Sequence, residues 1–367
     1  MKPLKYPFRI SPITPFHIGN GTQYDPLNLI IKNGTAYFIN QIEYIRYLME
    51  KDKKKLDRNL EVSNIKQLHK FFAESFDPNA KDTFYFSYPV KKDICDTYAK
   101  NMENLQNQGF IQAFIRSTLN MQPYIPGSSI KGAIRTAVLS NICSDKNKII
   151  QDRNTDKADQ KTQAVLLEYW NREKNSVDVP SDPFKFIKFE DIPWKNDWIR
   201  IFGVEITTPP VSASVRQNPF HSGNQSEKEK KEPPIPVLME VALSRIEWVV
   251  DSELTVLVTD KNNRGFNKIM PSGPNDIKPL IKMVNNYYQQ QIDRESEYYK
   301  SMNPNAQKNY KAIKGLFDNL KDNECIIKLG MGTGQNYCSY AVMNYQPKSR
   351  RMINSLPMGW MRLTFSI

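Results

Sequence analysis

The chain reads as an α+β protein built from two units. Stretches of two-residue apolar alternation are interspersed with stretches of helical spacing. The length, 367 residues, fits two units at roughly 100–200 residues per domain. Between them lies Ser212–Pro236, rich in Ser, Asn, charge and proline, a composition that cannot fill a core. The expected division is therefore 1–208, a flexible polar arm or linker at 209–236, and 237–367.

Taken in order, residues 7–18 mix apolar and polar positions but are broken by proline at 7, 12 and 15, which predicts an edge strand or a strand running into a loop. Residues 29–39 predict a hairpin, because Asn33-Gly34 suits a type I′ turn. Asn40 is the expected N-cap of a helix over 41–50, with Ile42, Ile45, Leu48 and Met49 as its apolar stripe. Residues 51–120 favour helices, with Leu68, Phe71, Phe72 and Phe76 on one face and a short aromatic strand at 83–90. A turn and a firm helix follow over 122–143, then a charged surface loop at 145–160 and strands at 184–189 and 198–208. Beyond the polar segment, strands at 237–250 and 253–259 flank an expected turn at Asp251-Ser252. Ile281, Val284 and Tyr288 mark a helix over 277–299, and strands at 337–343 and 360–367 close the pattern.

Lys and Arg number 51 and Asp and Glu 39, so the formal charge is 51 − 39 = +12. That balance favours a polyanionic partner. The four cysteines include no C-x-x-C pair and the three histidines are scattered, so no metal site and no cofactor is expected. No run reaches the roughly 18 apolar residues of a membrane span, and the proline-broken start does not read as a signal peptide. The expected location is cytoplasmic, with no membrane partner.

Glycine is scarce, 15 of 367, about 4% against a usual level of about 7%. Seven of the 15 fall at 19 and 21, at 127 and 132, and at 330, 332 and 334. Such loops permit positive φ and close backbone approach, which points to binding. In Pro123–Leu139, Pro126-Gly127 makes a turn and Ser128 or Ser129 is the expected helix cap. Lys131 and Arg135, four apart, form a like-charge pair that a phosphate at the helix start would relieve. Gly132 implies a close neighbour, either a helix or a ligand. No G-x-x-x-x-G-K-[ST] is present, so nucleotide hydrolysis has no warrant. His17 could be a catalytic base, stack on a nucleobase or hydrogen-bond structurally, and it has no second proton-handling group beside it in sequence.

Three segments, Ile13–Gly21, Tyr124–Ala137 and Leu329–Gly334, together resemble the RAMP superfamily of CRISPR-associated RNA-binding proteins. Within it, the tail Leu356–Leu363 and residues 181–191 look most like the fifth-subunit family of type III-A (Csm) interference complexes. The resemblance implies two ferredoxin-like, RRM-related domains with insertions. It also implies a non-catalytic subunit that caps the complex backbone near the guide's 3′ region and supports guide maturation. The implied partners are CRISPR guide RNA, target RNA, other Csm subunits (the repeated backbone subunit above all) and cellular nucleases. Expected RNA-binding residues are His17, Gly19, Gly21, Gly127, Ser128, Ser129, Lys131, Arg135, Gly330, Gly332 and Gly334, with Arg9, Tyr24, Arg216 and Lys228 as further RNA or subunit contacts. Met331 stands where the family commonly has an aromatic residue. The alternatives are a metal-independent endoribonuclease using His17, or a protein-only assembly adaptor.

Overall fold

The computed structural model describes residues 2–61, 64–103, 110–143, 155–207, 237–245, 247–258, 264–330 and 350–367. The expected strand at 337–343 and the polar segment 212–236 lie outside them. Among the described residues no helix is long and apolar enough to cross a membrane.

The α+β class holds. One antiparallel sheet runs in the order Ile187–Phe189, Val250–Val258, Lys2–Pro12, Trp360–Phe365, Glu324–Lys328. Its central strand, Lys2–Pro12, buries Tyr6, Phe8 and Ile10 and exposes Lys5, Pro7 and Arg9, the alternation a one-sided sheet requires. The strand is therefore not at the edge, contrary to the expectation drawn from its prolines. Pairing with Trp360–Phe365 covers only residues 8–12, so Pro3 and Pro7 precede the doubly paired stretch and interrupt one ladder at most. The sheet takes strands from both sides of segment 209–236, so the division expected along the chain is crossed by strand pairing.

The helices are α1 (Gln41–Leu60), α2 (Ile65–Ser75), α3 (Lys92–Glu103), α4 (Gly127–Ile142), α5 (Thr155–Leu166), α6 (Arg264–Ile269), α7 (Lys278–Tyr299) and α8 (Pro304–Phe317). Helices α4 and α7 pack on each other and on the first sheet, the two-helix cover of a ferredoxin-like unit. A second sheet contains Ile111–Gln112, Val237–Ala242, Ile199–Thr207 and Arg350–Ile353. A third consists of Leu29–Lys32, Thr35–Ile39 and Phe84–Pro89, and it shares a satellite core with α1 and α2 through Ile30, Ile39, Tyr44, Leu48, Phe71, Phe72 and Phe76.

The hairpin turn is as the sequence implies, with Asn33 at φ 52° and Gly34 at φ 73°. Several local expectations fail for definable reasons. Ile42, Ile45 and Met49 are exposed while Tyr44 and Leu48 are buried. The Tyr44 hydroxyl donates to the Phe72 carbonyl at 2.6 Å, so the aromatic ring outcompetes the aliphatic stripe for the core-facing side. Asn40 occupies the cap position without a side-chain capping bond. Residues 155–160, expected in a loop, begin α5. Asp251-Ser252 lies within the strand Val250–Val258, not in a turn, because the ladder to Phe8 and Arg9 runs through it.

Candidate functional site

Three glycine segments far apart in sequence meet along one backbone path. Gly330, at φ +87°, lies against the His17 carbonyl, where a Cβ would stand 2.1 Å from the oxygen, so only glycine fits. The Ile18 carbonyl then accepts from Ile115 N at 2.7 Å, and the Ile115 carbonyl from Tyr124 N at 3.4 Å. Tyr124–Ile125 pairs with Ile192–Pro193, and Asp191 Oδ1 accepts from Gly127 N at 2.8 Å. The path thus joins the late glycine loop, the early one and the start of α4.

The first turn of α4 differs from expectation. The helix begins at Gly127 after Pro126, and no side chain caps it. A Cβ on Gly127 would sit 2.0 Å from the Phe189 carbonyl oxygen, so this glycine serves a backbone approach within the chain. The Asp191 carboxylate takes the Gly127 N–H and already places negative charge at the positive end of the helix dipole. Ser128 is exposed and Ser129 half-buried. Gly132 is exposed with no atom within 4 Å of a built Cβ, so no helix of the described chain fills the space it leaves.

The two cations have separate roles. Arg135 donates to Asp182 Oδ2 at 2.8 Å and Oδ1 at 3.1 Å, to Gln163 Oε1 at 2.6 Å and to the Tyr169 hydroxyl at 2.9 Å. Its guanidinium also lies 4.9 Å from the Phe184 ring centre. An arginine held by a carboxylate, an amide, a hydroxyl and a ring in this way is engaged within the protein's own structure, where a role in phosphate binding had been expected. Lys131 is half-buried, and among the described residues it has no hydrogen-bond or ion-pair partner. Burial lowers its pKa, Asp182 opposes that shift, and Arg135 and Lys188 add to it.

His17 is 1% exposed and donates from Nδ1 to the Glu240 carbonyl at 2.6 Å. Its Nε2 is buried without a partner, 2.7 Å from where a Cβ on Gly19 would stand. Burial pulls its pKa to about 4, the Glu240 carbonyl opposing and Arg351 adding to the fall. The imidazole is neutral, as a general base must be, but at this burial it is enclosed away from any substrate proton. Tyr24 is buried, edge-on to Phe38 at 5.1 Å, and offers no free stacking face. Gly21, at φ +88°, and Arg9 are exposed. Gly332, Gly334, Arg216 and Lys228 lie outside the described residues.

Behind this path is a buried ionic centre that sequence reasoning missed. Glu240, 0% exposed, accepts from Arg116 Nη2 at 2.6 Å, from Phe114 N at 2.8 Å and from the Tyr88 hydroxyl at 3.1 Å. Arg116 also donates to Asn196 and to the Met121 carbonyl and lies 4.5 Å from the Phe86 ring centre. One carboxylate thus ties together residues 88, 114, 116 and, through its backbone, 17. The available signal was a lone carboxylate in the apolar run Val237–Ala242, which demands a buried donor set. A second centre joins Glu295 to Arg350. Burial there lowers the Lys328 pKa to about 8, Glu295 opposing and Arg350 adding.

Among the described residues no His, Cys, Asp or Glu group could hold a metal ion. Residues 9–335 match the model of the RAMP superfamily. A curated Methanocaldococcus jannaschii protein, "CRISPR system Cms protein Csm5", is 33% identical over 191 residues, covering 49% of this chain and 40% of that protein. The chain therefore matches less than half the length of this relative. Among solved structures, a chain of a type III-A Csm–crRNA–target RNA ternary complex superposes with a TM-score of 0.62 at 18% identity, covering 98% of this chain and 100% of its own length. The crystal structure of T. onnurineus Csm5 gives 0.62 and 18%, covering 96% and 99%. These structural matches share the fold.

Proposed function

Because the chain belongs to the RAMP superfamily, we propose that it is a non-catalytic, guide-RNA-binding subunit of a type III-A Csm complex. In this reading it caps the complex backbone near the guide's 3′ region and supports maturation of that end, with the repeated backbone subunit and target RNA as neighbours and cellular nucleases as transient partners. The observation that carries the reading is the convergence of the three glycine segments on one path of backbone contacts and hydrogen bonds. Beside that path, Lys131, Ser128, Ser129 and the open side of Gly132 offer one cation, two hydroxyls and backbone access. Phosphate contacts need little more, since they supply position and affinity while base contacts supply sequence. The state of His17 disfavours the endoribonuclease reading.

Sequencing of RNA that co-purifies with the tagged chain from its native cell tests this. Enrichment of short repeat-plus-spacer RNAs together with neighbouring Csm subunits is expected, and Lys131→Gln should reduce the recovered guide. Neighbours without guide RNA would overturn the reading in favour of a protein adaptor.

A further inference from the structure

Trp198 and Trp248 stack at the surface, with ring centroids 4.6 Å apart and planes 9° from parallel. Trp198 ends the short turn before Ile199–Thr207. Trp248 lies in the connection between Val237–Ala242 and Val250–Val258. Leu243 N donates to the Trp198 carbonyl at 2.9 Å and holds the two segments in register. Below them, fully buried Trp194 meets Trp198 edge-on at 5.0 Å and 76°. The stack is therefore anchored at its inner end, while Trp198 and Trp248 are both half-buried.

Cations flank both surface rings. Lys195 Nζ is 5.0 Å from the Trp198 ring centre, and the Arg245 guanidinium is 5.2 Å from that of Trp248. Arg245 is loosely held, with Glu247 at 3.9 Å and both side chains more than half exposed, a contact worth little. A fixed aromatic step bordered by exposed cations meets the two requirements of single-stranded nucleic acid, a π-face for a base and positive charge for its phosphates.

We propose that Trp248 is a stacking platform for an unpaired base of single-stranded RNA, with Arg245 and Lys195 taking the adjacent phosphates. An arriving base exchanges the Arg245 cation–π contact for stacking and releases the guanidinium to phosphate. The proposal rests on the RNA-binding reading above and adds a contact region separate from the glycine path.

The test uses the full chain and a fluorescein-labelled ten-nucleotide adenosine RNA, read by anisotropy, with the same strand annealed to its complement as a paired control. Trp248→Ala should weaken single-strand binding about tenfold, the scale of one lost base stack. Trp248→Phe should stay within about threefold, and duplex binding should not change. Wild-type binding matched by Trp248→Ala would overturn the platform and leave the guide-binding reading standing. Wild-type failure on both RNAs would overturn both. Equal loss on single strand and duplex, with a lowered melting temperature, would make the ring structural and also overturn the platform. In the assembled complex, 4-thiouridine placed in the guide or in the target should crosslink to residues 243–250 from one of the two, which identifies the strand. No crosslink from either refutes the proposal.

Discussion

Replacing Glu240 with alanine removes the acceptor at the centre of the buried ionic site. Arg116, its side chain 4% exposed, would keep neutral partners such as Asn196, Met121 O and the Phe86 ring but lose its carboxylate. Phe114 N and the Tyr88 hydroxyl would each lose the acceptor they use. Breaking one side of a buried ion pair costs about 3–5 kcal/mol, and each stranded polar group about 1–3 kcal/mol. These terms overlap because local relaxation and water entry serve all of them, so the expected loss is about 4 kcal/mol. Urea unfolding at neutral pH, followed by the fluorescence of buried Trp194, measures it. The double variant Arg116→Met/Glu240→Leu removes both charges and should be less destabilised than Glu240→Ala. A loss below about 1 kcal/mol for Glu240→Ala, or a double variant equal to the sum of its singles, would refute the argument.

Gly127→Ala should destabilise by about 1–3 kcal/mol or prevent folding, since its Cβ would fall 2.0 Å from Phe189 O; thermal melts would read this, and an unchanged melting temperature would contradict it. The folded-state pKa of His17, about 4, lies below its ordinary 6.5, so its neutral form stabilises the fold fully above pH 6.5. That contribution is lost as pH falls from 6.5 through 4, and His17→Ala should flatten this limb of the stability–pH curve. Arg135→Gln should cost about 2–4 kcal/mol of stability through its broken carboxylate pair. Lys131→Gln should change stability by less than about 0.5 kcal/mol and, on the proposed function, weaken guide retention, so the paired measurement tests whether the two cations have separate roles.

Elements whose signals are local were legible in the sequence. Asn33-Gly34 specifies its own turn, and Ile281, Val284 and Tyr288 mark the buried side of α7. Expectations failed where a distant partner decides the outcome. Pro7 suggests an edge, but its strand is flanked by residues 240 or more positions away. Ile42, Ile45 and Met49 spell an apolar stripe, yet the Tyr44–Phe72 contact turns the helix the other way. In the site, Gly127 and Gly330 were readable because close approach constrains residue type directly, whereas nothing lies within 4 Å of a Cβ built on Gly21 or Gly132. The intramolecular partners of Arg135 were not legible because Asp182, Gln163 and Tyr169 are 28 to 47 residues away. The Trp198–Trp248 stack escaped for the same reason, each ring looking alone in sequence.

The central place of Lys2–Pro12 in the sheet has a consequence for biosynthesis. Phe8 pairs with Phe365, a separation of 365 − 8 = 357 residues, so the strand Lys2–Pro12 is completed only after that much further chain has been made. At about 5–20 residues per second, Phe8 waits roughly 20–70 s for that neighbour. Throughout that interval one side of an apolar strand lacks its final partner, and the first sheet cannot close domain by domain as translation proceeds. Translation halted before Trp360 would release a chain whose first sheet is open at its middle, a substrate for chaperones or for aggregation.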